Sequence, residues 1–374
     1  MIPFNKPYLS GNETEYIKDA VAFGKLSGDG KYTVKCQEFF EKRYGFHKCL
    51  LTTSCTDALE LAALLLDIKE GDEVIMPSYT FVSTANAFIL RGAKIVFVDS
   101  RKDHPGMDED AIEAKITEKT KVIVPVHYAG IACDMEKIMA IAGKYNLWVV
   151  EDAAQAIESY FTFSNGDKKP LGGIGHLAAF SFHETKNIIS GEGGMLVIND
   201  PHYTQRAEII REKGTNRSSF FRGEVDKYGW VDKGSSFLPS DIVAAFLWGQ
   251  LQNLEDIQSK RINLRNTYNE ELKDWATSKG ISLPVVPSYA TDNGHMFYLT
   301  CKDLKQRTAL INHLKENGVH AVFHYISLHL STYYLKENAK ECLANCERYS
   351  DTLLRLPLYY ELPVSEVITA IKRY

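Results

Sequence analysis

An α/β fold built on a mostly parallel sheet, followed by a smaller α+β unit, is predicted by three features of this sequence. Between Lys48 and about Asn199, short β-branched runs alternate with helical stretches. Several of those runs are apolar at consecutive positions, as strands covered on both faces are. From about Leu283 the pattern changes to strand, helix, strand and short helices. Residues 1–245 are therefore read as a large α/β domain with an N-terminal segment. Residues 246–374 are read as a bridging helix and a small C-terminal α+β domain.

The expected strands of the sheet are 49–52, 73–76, 94–99, 121–126, 148–152, 178–182 and 195–198, seven in all. Helices are expected between them over 56–67, 83–91 and 134–145, and after them over 201–213. Residues 214–240 are rich in Gly, Ser, Arg and aromatics; an irregular segment of that length in a compact domain is usually functional. Residues 241–272 read as one long helix or a kinked pair. The small domain is expected to hold strands 296–301 and 321–325 around a helix over 304–317. There are no internal repeats and no low-complexity segments.

Composition narrows the function. The 374 residues are 45% hydrophobic and 24% charged, enough for a large core and about two domains. A formal net charge of −5 and a pI near 6.1 argue against a nucleic-acid partner. Seven cysteines, odd in number and scattered, read as reduced thiols. Cys342 and Cys346 stand one helical turn apart, but no further Cys or His cluster completes a tetrahedral set, so no metal is expected. The first residues lack a positive n-region followed by an apolar stretch, and no window reaches the length of a membrane span. A cytoplasmic protein is expected, with no membrane partner.

The chemistry concentrates at two strand ends. Val149-Val150-Glu151-Asp152-Ala153-Ala154-Gln155 ends one strand on an aspartate, and Ser181-Phe182-His183-Glu184-Thr185-Lys186 ends another near a lysine, just before Gly191-Glu192-Gly193-Gly194. An acid and a lysine at the same edge of one sheet are the pair that pyridoxal phosphate requires. The lysine forms a Schiff base with the cofactor aldehyde, and the acid keeps the pyridine nitrogen protonated so that the ring draws electrons. Lys186 is then also the base that moves the donor's α-proton. Gln155, three residues beyond Asp152, is within reach of the ring hydroxyl.

Thr53-Ser54-Cys55-Thr56 stands where a strand gives way to a helix, and free N–H groups at a helix N-terminus suit a phosphate. Ser181 offers another hydroxyl. Tyr79 and Phe81, in Pro77-Ser78-Tyr79-Thr80-Phe81, are two rings that can stack on the pyridine or pack in the core. His127, His183, His324 and His329 are candidate substrate hydrogen-bonders or satisfied core residues. Arg211, Lys213, Arg217 and Arg222 flank the 214–240 segment and can grip a diphosphate or form a solvated face.

These residues together resemble the sugar-nucleotide aminotransferases of the DegT/DnrJ/EryC1/StrS family, within the fold-type-I pyridoxal phosphate enzymes. The resemblance runs over essentially the whole chain. It rests on Glu151 to Gln155, Ser181 to Lys186, Gly191 to Gly194, Pro77 to Ala85, and Ser240-Asp241 before Ala244-Ala245. Met1 to Asn5, the Gly28-Asp29-Gly30 turn and Arg211 to Gly223 are similar to members that make dTDP-4-amino-4,6-dideoxygalactose for a surface polysaccharide. The resemblance implies L-glutamate as amino donor, a dTDP-4-keto-6-deoxyhexose as acceptor, and a homodimer with shared active sites. It implies Lys186 as the Schiff-base residue, Asp152 on the pyridine nitrogen and Gln155 on the ring hydroxyl. It further implies Ser54, Cys55, Thr56 and Ser181 around the phosphate, Phe81 over the ring, and Ser236 reaching the phosphate from the second subunit. Tyr79, His183, Lys213, Arg217 and His324 are the candidate substrate contacts. A sister activity remains open: an equatorial 4-amino-glucose product, a 3-amino sugar or a UDP-linked amino sugar. A related sugar dehydratase carries histidine in place of the lysine, so Lys186 argues against it.

Overall fold

The computed structural model describes residues 1–374 and begins with two helices, α1 (Glu13–Phe23) and α2 (Lys31–Tyr44). The alternation then runs β1 (Lys48–Thr52), α3 (Cys55–Leu65), β2 (Glu73–Pro77), α4 (Val82–Ile89), β3 (Lys94–Val98), β4 (Thr120–Ile123), α5 (Met135–Tyr145) and β5 (Trp148–Asp152). A hairpin of β6 (Tyr160–Thr162) and β7 (Lys168–Pro170) leads to β8 (Leu177–Ser181) and β9 (Gly194–Ile198).

Seven of these strands form one sheet in the order β1-β9-β8-β5-β4-β2-β3. Strand β9 runs against both its neighbours, and the other pairings are parallel. Successive side chains of a strand point to opposite faces. Thus Leu50, Val74, Val122, Val150 and Leu177 enter one core with α3 and α4, while Leu51, Ile75, Ile123, Val149 and Ala178 enter the other with α2 and α5. The consecutive apolar residues of each strand are explained by this double coverage, which leaves the strand ends as the accessible surface of the sheet.

Helix α6 (Thr204–Arg211) and the short α7 (Arg217–Phe221) lead to α8 (Asp241–Leu251) and the 26-residue α9 (Leu254–Lys279). The fully buried Asp241 accepts hydrogen bonds from Tyr32 N (3.2 Å), Thr33 N (2.8 Å) and Thr33 Oγ1 (2.9 Å), which satisfies the open N-terminus of α2. Gly30 permits this contact, because a Cβ there would lie 2.4 Å from Asp241 Cγ. Helix α8 is therefore tied to the large sheet, and the boundary expected at 245/246 falls inside it. The chain turns instead at Gln252–Asn253, between α8 and α9. Of the two readings of 241–272, one long helix or a kinked pair, the structure forms the pair, although no proline marks the break.

The remainder holds β10 (Phe297–Thr300), α10 (Leu304–Glu316), β11 (Val322–Phe323), α11 (Ala344–Thr352), β12 (Leu353–Leu356) and α12 (Val364–Lys372). Strand β12, absent from the expected elements, is the centre of an antiparallel sheet ordered β10-β12-β11. Its core joins Tyr268 and Leu272 of α9 to Phe297, Leu310, Leu354 and Ile371. The segment around Ile2 belongs here too: Ile2 N donates to Gly318 O (2.7 Å) and His320 N to Ile2 O (3.0 Å). Two polar clamps fasten this unit to the sheet. Asp99 accepts from Asn345 N (3.0 Å) and Cys346 N (2.8 Å) at the start of α11, and the Ser78 hydroxyl bonds His329 Nδ1 (2.7 Å). No helix is long and apolar enough to cross a membrane.

One buried carboxylate fixes the end of β5. Glu151 accepts from His127 Nε2 (2.9 Å), Gly172 N (2.8 Å), Ile174 N (2.9 Å) and Gly175 N (2.5 Å), tying the strand to the loop that feeds β8. Burial raises its affinity for a proton, but His127 and the backbone N–H groups outweigh that and hold the carboxyl below its usual value. A depressed folded value contributes stability above the unfolded carboxylate value, about pH 4.3, that is lost as pH falls through the folded one. Glu151→Gln, which turns an NH2 group toward these donors, is expected to lower stability by about 3 kcal/mol or more at neutral pH. Denaturant midpoints measured from pH 7 to pH 3 are expected to show that deficit shrinking below about pH 4.3.

Candidate active site

A cavity of about 800 Å³ opens at the carboxyl edge of the large sheet, between it and the C-terminal unit. Ligands of open α/β sheets bind at this edge. Lys186, Asp152, Ser54, Cys55, Thr56, Phe81, Gln155, Ser181, His183 and His324 all line it.

Lys186 enters from the loop after β8, where turns from Lys186 N to His183 O and from Glu184 N to Gly191 O (both 2.9 Å) bend the chain back. Burial pushes its ammonium below the ordinary lysine range; the nearby Arg355 adds to the drop, against the opposing pull of Cys55 and Asp152. Asp152, at the last position of β5, is buried and held at both oxygens. Thr84 Oγ1 donates to Oδ2 (2.7 Å) and Ala154 N to Oδ1 (3.2 Å). Thr84 in turn bonds the Thr80 hydroxyl at 2.9 Å.

The N-terminus of α3 opens into the cavity. Ser54 is its N-cap, and the Ser54 hydroxyl already accepts from Asp57 N (3.0 Å), so it is the N–H groups of the first turn that remain to receive an anion. The glycine-rich motif explains itself here. Gly194, at the start of β9, passes so close that a Cβ would lie 2.2 Å from Ser54 C and 2.4 Å from Cys55 N.

Gln155 Oε1 accepts from Ala129 N (2.6 Å) and its Nε2 donates to Tyr325 OH (3.3 Å). Ala129 sits at φ +60°, a left-handed conformation that a residue with a Cβ rarely adopts. His324 bonds Tyr128 OH through Nδ1 (2.6 Å) and stacks on Tyr325; burial holds it neutral. His183 Nδ1 lies 2.9 Å from Thr185 Oγ1.

Seven candidates lie elsewhere: Arg211 is buried on Gln37 and Leu51 O, Arg222 pairs with Glu208 and Glu224, His329 is held by Ser78, and four more are off the wall. Tyr79 is buried among Tyr128, Tyr325 and Tyr349 and does not line the cavity; of the two rings, Phe81 faces it, 55% exposed. Lys213, Arg217 and Ser236 are also absent from this wall. Both cations pair with Glu212 at 3.5 Å, and exposed Ser236 bridges Glu212 through backbone. Sequence reading missed Thr84, His295 and Arg355. His295 is buried neutral against Asn187 Oδ1 (2.9 Å). The single charge inside Leu353-Leu354-Arg355-Leu356 was the available signal for Arg355.

An amine with a lowered proton affinity, an anchored carboxylate and a free helix N-terminus are the three fittings that pyridoxal phosphate requires, so the residues present fit that group. Gly194→Ala is expected to weaken retention of pyridoxal phosphate about tenfold or more by displacing the Ser54–Cys55 backbone. Retention of pyridoxal, which lacks the phosphate, is expected to change little, both read by absorbance titration.

Residues 7–372 match the model of the DegT/DnrJ/EryC1/StrS aminotransferase family. The uncharacterized protein MJ1066 of Methanocaldococcus jannaschii is 34% identical over all of this chain and 97% of its own length. The aminotransferase TlmJ from Streptoalloteichus hindustanus superposes with a TM-score of 0.89 at 28% identity, covering 100% of this chain and 98% of that one. Spr1654 of Streptococcus pneumoniae, assigned as a sugar aminotransferase and solved in a PMP-form, superposes with a TM-score of 0.91 at 25% identity and the same coverage. With the family model spanning nearly the whole chain and the fold matching throughout, this protein belongs to the DegT/DnrJ/EryC1/StrS family of pyridoxal-phosphate-dependent aminotransferases.

Proposed function

We propose that this sugar aminotransferase moves the amino group of L-glutamate to C4 of a dTDP-4-keto-6-deoxyhexose, giving dTDP-4-amino-4,6-dideoxygalactose for a surface polysaccharide. The observation that carries the reading is the meeting of Lys186, Asp152 and the α3 N-terminus in one cavity large enough for a nucleotide sugar's hexose beside the cofactor. The Gly28-Asp29-Gly30 turn and the Arg211 to Gly223 segment support this choice among sugar substrates.

When bound, pyridoxal phosphate supplies the electron sink for the donor's α-carbon and carries the amino group between the two substrates. Lys186 Nζ, with its lowered proton affinity, takes the α-proton of the donor. In the second half of the reaction the same nitrogen delivers a proton to C4 of the sugar, and the face it reaches determines whether the amine is axial or equatorial. Asp152, held by Thr84 and Ala154 N, would face the ring nitrogen and hold its proton. Gln155 would take the ring hydroxyl, Ser181 and the first turn of α3 would take the phosphate, and Phe81 would cover the ring. His183 and the neutral His324 orient the sugar by hydrogen bonding.

The reading extends to a cytoplasmic homodimer with shared active sites. Phe221, Tyr228 and Trp230 are 70%, 52% and 83% exposed on the segment that carries Arg217 and Ser236, and an aromatic patch of this kind gains from burial against a second copy. Lys213, Arg217 and Ser236 would then serve the partner's cavity. The seven free cysteines suit a reducing compartment.

Protein loaded with pyridoxal phosphate is expected to lose its yellow colour with L-glutamate and regain it with dTDP-4-keto-6-deoxyglucose, NMR showing an axial amine at C4. An equatorial amine at C4 would reject this product, and an amine at C3 or recovery only with a UDP sugar would reject this acceptor; each outcome keeps the aminotransferase. Lys186→Ala is expected to abolish turnover by at least about a thousandfold while leaving the fold intact by circular dichroism. Light scattering is expected to give the dimer mass; a fully active monomer would remove Ser236 from the site.

A further inference from the structure

One ring in the cavity wall has a proton position that its surroundings determine. His295, two residues before β10, lines the cavity with 7% of its surface exposed. Its backbone is fully engaged: the N–H donates to Asn293 Oδ1 (2.9 Å), and the carbonyl accepts from Arg261 Nη2 (2.7 Å). Its Nδ1 lies 2.9 Å from Asn187 Oδ1. The Asn187 amide is fixed from its other end, because Nδ2 donates to Asn293 O (2.9 Å) and to Gln258 Oε1 (3.1 Å). Gln258 is fixed in turn, since its own Nε2 donates to the same Asn293 carbonyl. The oxygen of Asn187 can only accept, so Nδ1 of His295 carries the proton. Burial, with Lys186, Arg261 and Arg355 nearby, keeps the ring from taking a second one. Nε2 is therefore a bare lone pair. It makes no hydrogen bond within the protein and is not among the sealed polar atoms, so it opens on the cavity.

A neutral acceptor has a narrow choice of ligands. It repels the oxygens of a carboxylate, a phosphate or a keto group, none of which brings a proton, and it takes an O–H or an N–H. Arg355, whose guanidinium stacks on the Phe4 ring at 4.5 Å, stands on the same wall and adds to the field that keeps His295 neutral. The proton-bearing groups that enter the site are the amino group in transfer and the hydroxyls of the hexose. The amino group is held by the cofactor throughout, whereas a hexose needs partners to be placed. His295 is joined through Asn187 to the residue next to Lys186, so it stands by the reacting carbon rather than at the far end of the sugar. The hydroxyl nearest to C4 is the one on C3.

We propose that His295 Nε2 accepts a hydrogen bond from the C3 hydroxyl of the hexose and makes that hydroxyl a requirement of the sugar substrate. His295 is thus a substrate-binding residue whose tautomer Asn187 holds. The inference rests on the C4 sugar reading above, and the test separates the two.

Transamination runs in both directions, so the sugar half-reaction is read in reverse. Loss of the yellow form is followed in single turnover against dTDP-4-amino-4,6-dideoxygalactose, its 3-deoxy analogue and its 2-deoxy analogue. The wild type is expected to need about tenfold more of the 3-deoxy compound, the scale of one lost hydrogen bond whose acceptor stays buried, and no more of the 2-deoxy compound than of the parent. Two variants divide the ring. In His295→Asn the amide nitrogen stands in the place of Nδ1 and keeps the bond to Asn187, but nothing fills the place of Nε2. Its requirement for the parent sugar is expected to rise about tenfold, well beyond any rise for L-glutamate, and its 3-deoxy penalty to fall to about twofold or less. In His295→Gln the amide reaches the place of Nε2, and the 3-deoxy penalty persists. Calorimetric binding of dTDP-6-deoxygalactose, which has no amine to transfer, weakens in His295→Asn by the same factor as the sugar requirement.

Equal use of the parent and the 3-deoxy compound by the wild type overturns the proposal even if neither variant folds. A penalty that falls on the 2-deoxy compound instead overturns it too. So does a 3-deoxy penalty that survives in His295→Asn, or an equal loss there in both half-reactions, which would make His295 a support for the lysine loop. A wild type that loses its colour with L-glutamate but with no 4-amino sugar nucleotide rejects the C4 sugar reading, and this assignment with it.

Discussion

The position of the reacting groups depends on a carboxylate that takes no part in the chemistry. Glu151 gathers four donors from His127 and from the loop of Gly172, Ile174 and Gly175, so the last turn of β5 and the entry to β8 are held by one buried anion. The two strands it joins are the ones that carry Asp152 and lead to Lys186. Neighbouring residues in sequence thus divide the work: Glu151 faces inward and fixes the edge, and Asp152 faces the cavity and uses it. A charge buried so deeply is tolerated because every donor around it is satisfied.

The cavity itself is arranged in the opposite way. Arg355 lines it without a salt-bridge partner, while burial lowers the proton affinity of Lys186 and keeps His295 and His324 neutral. The site therefore holds positive charge in reserve for anionic ligands, beside a helix N-terminus of the same sign. The polar clamps of Asp99 on α11 and Ser78 on His329 hold its two walls together from outside.

Much of this was legible in the sequence because it depends on local pattern. Double coverage of the sheet appears as consecutive apolar residues, so the strands around Val74, Ile95, Val122 and Val149 were evident. The strand ends at Asp152 and near Lys186 followed from those, and Ser54 to Thr56 followed from a strand meeting a helix. What escaped depends on contacts between distant segments. Thr84 is one of many threonines until β5 places Asp152 against it. Tyr79 and Phe81, two positions apart, are alike as text, and only the packing of Tyr128, Tyr325 and Tyr349 decides that the first is core. Arg355 lies on a strand whose partners, β10 and β11, are far from it along the chain. Lys213, Arg217 and Ser236 lie away from the cavity wall, and nothing local in the sequence separates them from the residues that line it.

The pairing of Ile2 with Val319, and of Phe4 with Arg355, has a consequence for synthesis as well as for chemistry. The segment of Ile2 and Phe4 must meet Val319 and Arg355 before the cavity has all its walls. The large sheet can form while the chain is still growing, but its open edge then exposes Lys186 and apolar walls with nothing to cover them. Cofactor capture is therefore a late event, and a chain stalled anywhere before β12 leaves a folded sheet with an unfinished cavity.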